Sequence, residues 1–291
     1  MKTALLWFQR LFLFGSITFL LSVLYLNRED ITEVFSQAAI AGILLASGLW
    51  ILTVLIAPSI AFIILRDRNN EIRLTTLLSI YISRIPAKYL PGGVWQTFAR
   101  AYDMNSLGIS RTDIGLVVFY ENFWTVYLAS VISTLGIYVL NSNPMYSSLA
   151  LALFIGSLIV IPIAFVLRKQ AFVIGKLSYV KLTAICLLFW IFAALAFFSY
   201  LNSLGVIPVS YDPLLLMIHY QFSYVVGFVA IFAPQGVGVF EAVMVELSQF
   251  DLPAIQAMVL IAGFRVVVLV SDFIVWFAFI LLGRSRSTSS D

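Results

Sequence analysis

Chemistry in this sequence rests on a few ionisable side chains set in strongly apolar surroundings. Glu121 lies inside one apolar run, and Arg265 and Asp272 lie inside another. A charge carried into hydrocarbon costs about 2.5 to 3.5 kcal/mol on insertion scales, so such residues bind something, relay a proton or pair. Two interruptions of the chain stand near them. The first is Pro91-Gly92-Gly93, preceded by Arg84 and Lys88 and followed by Trp95, Gln96 and Arg100; the second is Pro234-Gln235-Gly236, followed by Gly238 and Glu241. Irregular backbone survives in a bilayer only where protein or a wet cavity satisfies its N–H and C=O groups, so a Pro-Gly break at depth predicts a cavity. If helices restart after Gly93 and Gly236, their N-termini offer free N–H groups and about half a positive charge each, suited to a phosphate. Arg84 and Lys88 fall on one helical face. The planar fork of Arg265 would hold a phosphate or a carboxylate.

Each of these residues also has a plainer reading. Glu121 and Arg265, placed about 30 residues after Pro91 and about 31 after Pro234 respectively, would form a buried ion pair locking two halves together. Arg84 and Lys88 would be interfacial cations with snorkelling stems, and Arg100 and Arg111 interfacial anchors. Glu241 would complement the dipole of its helix, as would Glu246. Asp272, seven residues after Arg265, would take an intrahelical partner, His219 would be a hydrogen-bonded packing residue, and Cys186 would be inert.

The elements that must position these groups are membrane helices. Of the 291 residues, 62% are hydrophobic and 11% are charged, against about 25% charged in an ordinary soluble domain. A spanning helix needs about 20 apolar residues. Seven such runs occur, near 8–26, 38–65, 112–140, 145–167, 182–201, 213–233 and 254–282, with broken segments at 74–100 and 234–250. The expected fold is an all-α polytopic membrane protein of about seven full spans plus Pro/Gly-broken segments. The first run, ended by Asn27-Arg28-Glu29-Asp30, reads as a retained anchor. Lys and Arg cluster around residues 66–111 and 168–181 and at both ends, which places both termini in the cytoplasm, with a prokaryotic inner membrane the simplest setting. Segment 74–100 then starts and ends on one side, so it dips into the membrane or lies along it.

The sequence Leu90-Pro91-Gly92-Gly93-Val94-Trp95-Gln96 is echoed by Ala233-Pro234-Gln235-Gly236-Val237-Gly238-Val239-Phe240-Glu241. The chain thus divides into a first repeat, 1–143, with the broken segment 74–100; a second, 144–283, with 213–250; and a tail, 284–291. Two such units entering the bilayer from opposite faces would be the inverted-topology repeats of secondary transporters, whose interrupted helices mark the binding site. A net charge of +3 gives no ground for a nucleic-acid partner. One histidine and one cysteine leave no His-based metal site and no disulfide framework, and no cofactor motif is present.

Lys88-Tyr89-Leu90-Pro91-Gly92-Gly93-Val94-Trp95 with Arg100, and Pro234-x-Gly236-Val237-Gly238-Val239-Phe240-Glu241 with Arg265, resemble the lysylphosphatidylglycerol synthase transmembrane region, the flippase-like family. The resemblance covers nearly the whole chain. It implies a flippase that moves an anionic lipid between leaflets, either aminoacylated phosphatidylglycerol or a polyprenyl-phosphate-linked lipid. The soluble aminoacyl-transferase domain of the best-understood members has no counterpart here, since only a short tail follows Gly283. Two other classes stay open. One is a non-catalytic accessory holding a partner enzyme of lipid or envelope glycan synthesis; the other is a membrane-embedded transferase, for which no paired-Asp or nucleotide-binding motif is found. A homodimer is compatible with all three.

Overall fold

The structure, a computed structural model, describes residues 36, 38–90, 94–141, 143–167, 174–230, 233, 236–248 and 250–287, with side chains except at 159–167 and 283–287. The expected span at 8–26, the residues Pro91, Gly92, Gly93 and Pro234, and the end of the tail lie outside the described residues. The described part is helical, with no strand.

Helices α1 (Ile40–Ile56) and α2 (Pro58–Asp67) follow each other without a loop. Pro58 has no N–H to donate, but Ala57 still reaches the carbonyl of Thr53 at 3.0 Å, so the pair acts as one apolar stretch of 28 residues, Ile40–Asp67. A short α3 (Leu74–Ser83) comes next, then a 3₁₀ turn (Ile85–Tyr89) and α4 (Trp95–Ser106). Then come α5 (Arg111–Leu140), α6 (Pro144–Leu167), α7 (Lys176–Ser203), α8 (Pro213–Val229), α9 (Val239–Ser248) and α10 (Ala254–Ser287). Among the described residues, four stretches are long and apolar enough to cross a membrane: Ile40–Asp67, Arg111–Leu140, Lys176–Ser203 and Ala254–Leu282. At about 1.5 Å per residue each exceeds the roughly 30 Å hydrocarbon thickness. The expected spans at 145–167 and 213–233 are the helices α6 and α8, of which α8 has 17 residues. The chain is therefore a helical integral membrane protein.

Local sequence explains where these helices start and stop. Gly108, at φ +84°, ends α4: its N–H reaches Asn105 O at 3.0 Å, and Ile109 N–H reaches Met104 O at 3.2 Å. This paired closure needs a residue in the left-handed region, which glycine adopts without penalty. Asp212 caps α8 by accepting the Leu214 N–H at 2.8 Å, with Pro213 at the first helical position. Asp67, at the end of α2, accepts from Gly175 N–H at 3.0 Å and Ser178 Oγ at 2.5 Å, placing a carboxylate on the first turn of α7.

The chain forms two compact units, and each of the four long helices gives a stretch to both. One unit takes the chain up to Gly48, Ala129–Leu158 and Ala193–Val267; it contains α8 and α9. Its core is aromatic: Phe197 stacks on Tyr220 at 4.7 Å and meets Phe264 edge-on at 5.2 Å, with Phe240 at 6.0 Å. Backbone also joins here, Ala39 N–H to Ser203 O at 2.8 Å. The other unit takes Leu49–Leu128, Ile159–Phe192 and the chain from Val268; it contains α3, the 3₁₀ turn and α4. Ile64, Leu77, Met104, Leu116 and Leu182 are its buried aliphatic centre.

Candidate functional site

The two units are taken separately. In the unit that holds α4, helices restart as expected after the first break, at Trp95. Just before that break, the 3₁₀ turn presents Lys88 and Tyr89 to α10. Asp272, only 2% exposed, receives three donors: Trp50 Nε1 on Oδ1 at 3.0 Å, and Lys88 Nζ and Tyr89 Oη on Oδ2, each at 2.8 Å. Lys88 Nζ lies 5.5 Å from the Trp50 ring centre and 5.6 Å from that of Tyr89, so the ammonium is held by a carboxylate and two ring faces. A carboxylate this buried would be costly alone, and the three donors compensate it.

Arg84, one turn earlier, forks onto Asp103 of α4, Nε at 2.6 Å and Nη2 at 2.7 Å. This hydrogen-bonded pairing raises the guanidinium pKa above its ordinary value. Arg100 of α4 sits in the protein interior, with its Nη2 3.4 Å from Glu121 Oε2 and its guanidinium carbon 4.3 Å from the centre of the Tyr81 ring. Tyr81 Oη also donates to Glu121 Oε1, so acid, phenol and guanidinium form one cluster joining α3, α4 and α5. Arg100 Nε is buried without a hydrogen-bond partner. Burial pushes this guanidinium down to about 10, still cationic at neutral pH. Trp95 is exposed and Gln96 half-buried on the first turn of α4.

In the unit that holds α9, a helix again restarts after the break, at Val239. Gly236 and Gly238 have φ of +67° and +83°. A Cβ on Gly236 would come 2.9 Å from the backbone of Gly227 on α8, so this close approach requires glycine. Glu241 lies three residues into the restart. Its Oε2 accepts the Gly238 N–H at 2.8 Å, half of a capping box, and its Oε1 accepts Arg265 Nε at 2.7 Å. The Arg265 guanidinium carbon is 5.8 Å from the centre of the Phe240 ring.

Several expectations change here. Glu121 and Arg265 find their partners in Arg100 and Tyr81, and in Glu241, each within its own unit, instead of in one another. Arg100 belongs to a buried pair and is no interfacial anchor; its helix is too polar to lie in hydrocarbon, so the charge turns to the protein. The partners of Asp272 come from Trp50, Lys88 and Tyr89, not from its own helix. Glu246 accepts from Tyr146 Oη at 2.6 Å. By contrast, His219 is the buried, hydrogen-bonded residue expected, with Nδ1 2.9 Å from Tyr211 Oη and 3.3 Å from Ser248 Oγ, and Cys186 is buried and free.

Sequence reading gave Asp272 only a partner on its own helix and assigned no site role to Asp103, Tyr81, Tyr89 or Trp50. The signal for Asp272 was its depth in an apolar run; nothing marked Asp103 as the partner of Arg84. In both units, then, a short helix after a break carries one member of an Arg–carboxylate pair, and a long helix carries the other, with the signs exchanged: Arg100 to Glu121, Glu241 to Arg265. No protein-family model matches the chain, and no curated protein matches it.

Proposed function

We propose that this protein is a flippase-like lipid transporter of the lysylphosphatidylglycerol synthase transmembrane type, moving an anionic lipid between leaflets. The observation that carries the reading is the sign-exchanged pair: each break is followed by a restarted helix whose ionic partner stands on a long membrane helix. Two equivalent broken segments are what an inverted-repeat transporter uses to build a headgroup site and to rock around it. On this reading the repeats are 1–143 and 144–283, both termini are cytoplasmic, and the membrane is a prokaryotic inner membrane. Lys88 in one unit and Arg265 in the other are the cations offered to a lipid phosphate, each near a restarted helix of its own unit, and the acyl chains stay in the bilayer. The lipid is aminoacylated phosphatidylglycerol or a polyprenyl-phosphate-linked lipid.

Mass spectrometry of lipids co-purifying with wild type, Lys88→Ala and Arg265→Ala in one detergent tests this. Enrichment of one anionic lipid on wild type and its loss from both variants is expected. The same host mixture on all three would overturn it.

One observation favours a second reading, a non-transporting accessory of an envelope enzyme. The cations offered to the headgroup each already bind a carboxylate of the protein: Lys88 to Asp272, Arg84 to Asp103, Arg100 to Glu121 and Arg265 to Glu241. An accessory would co-purify with its enzyme and tolerate substitutions at Lys88 and Arg265.

A further inference from the structure

Helix α4 has a charged inner face and an aromatic outer face. Arg100 and Asp103 turn toward Glu121 and Arg84, and Met104 is buried in the core cluster. On the opposite side Trp95, Phe98 and Tyr102, spaced three and four residues apart, form a stripe with exposures of 51%, 64% and 74%. The stripe is graded along the helix. Before it come the exposed aliphatics Leu90 and Val94, and after Tyr102 the same face ends in the exposed polar residues Asn105 and Ser106; Leu107, which caps the helix off this face, is exposed as well. Aliphatic, then Trp and Phe, then Tyr, then amide and hydroxyl is the order of side chains met on passing from hydrocarbon edge through headgroups to water. Exposed cations accompany it in the same unit, Arg111 just after α4, Arg66 and Arg68 at the end of α2 and Arg73 just before α3, outnumbering the exposed Glu71 among them and matching an anionic leaflet.

We infer that α4 is an interfacial membrane-contact helix that seats Trp95, Phe98 and Tyr102 among anionic lipid headgroups, with the Trp95 end deepest and Ser106 in water. Its inner face holds the helix to the protein through the ion pairs of Arg100 with Glu121 and of Asp103 with Arg84. This does not depend on the protein transporting lipid, since an accessory would sit on the leaflet in the same way.

The test uses full-length protein in nanodiscs of equal parts phosphatidylcholine and phosphatidylglycerol. Phe98→Cys, Tyr102→Cys and Ser106→Cys, each with Cys186→Ser, carry a nitroxide, and its collisions with oxygen and with a water-soluble nickel chelate give depth. Oxygen should dominate at 98 and nickel at 106, with 102 between them. Nickel dominance at all three would overturn the inference, as would protection of 98 and 102 from both reagents, which means a protein partner or a second copy. Should a variant fail to fold, wild-type protein in discs doped with a headgroup-photoreactive phosphatidylglycerol gives the same answer: the peptide 94–107 should be labelled, and its absence from the labelled peptides would overturn the inference.

Discussion

The Asp272 carboxylate takes hydrogen bonds from an indole, an ammonium and a phenol, and those three donors lie far from it in sequence. Breaking a buried pair by removing one partner is worse than removing both, because the survivor stays desolvated. Lys88 is partly exposed, so solvent screens part of this interaction. Comparing Asp272→Ala, Lys88→Ala and the double variant by unfolding in one detergent should give a coupling of about 1 to 3 kcal/mol. Additivity within about 0.5 kcal/mol would mean that the contact contributes nothing. Glu241 separates two roles that one carboxylate performs. Glu241→Gln keeps an acceptor for the Gly238 N–H and loses the charge facing Arg265; Glu241→Ala loses both. The alanine variant should therefore be less stable than the glutamine variant by about 1 kcal/mol, the usual contribution of an N-terminal cap. Equal midpoints for the two would show that the cap is not formed.

At the scale of elements, the turn between α8 and α9 depends on two glycines for different reasons. Gly236 combines a positive φ with a backbone contact to Gly227 that a methyl would enter, whereas a Cβ on Gly238 meets nothing within 4 Å. Gly238→Ala should cost only the left-handed backbone penalty, about 1 to 2 kcal/mol. Gly236→Ala adds a clash with main chain, which cannot rotate away, so it should be the more damaging of the two; thermal midpoints in the reverse order would remove the close approach as a cause. Here the limits of sequence reading are physical. Runs such as 112–140 and 182–201 were legible because hydrocarbon demands length and apolarity, and the helices Arg111–Leu140 and Lys176–Ser203 follow them. The restarts at Trp95 and Val239 were legible from Pro and Gly, which no helix interior tolerates well. Partner choice was not. The cost of burying Glu121 or Arg265 says that each needs a partner but not which, and the pairing depends on helix packing that no spacing within one helix encodes.

For the whole molecule, the remaining matter is which ends of the long helices share a side of the membrane. Asp67 at the end of α2 bonds to Gly175 and Ser178 at the start of α7, so these two ends meet within one unit. The loop through Glu71 and the start of α7 at Lys176 must then face the same compartment. α7 is long and apolar enough to cross; if it does, Val209, beyond its far end and fully exposed, should be reached from the other side. On the orientation proposed above, the Lys and Arg at 66, 68, 73, 176 and 181 make the first compartment the cytoplasm, since cations near span ends resist translocation. Glu71→Cys, Lys176→Cys and Val209→Cys can be probed with a membrane-impermeant maleimide, because Cys186 is buried and should not react. In intact cells only Val209→Cys should label; in inverted vesicles Glu71→Cys and Lys176→Cys should label together. Labelling of all three from one side would mean that α7 does not cross, and the inverted-repeat scheme would fall with it. Labelling with the sides exchanged would keep the fold and reverse its orientation, placing Arg66, Arg68 and Arg73 against the outer leaflet instead.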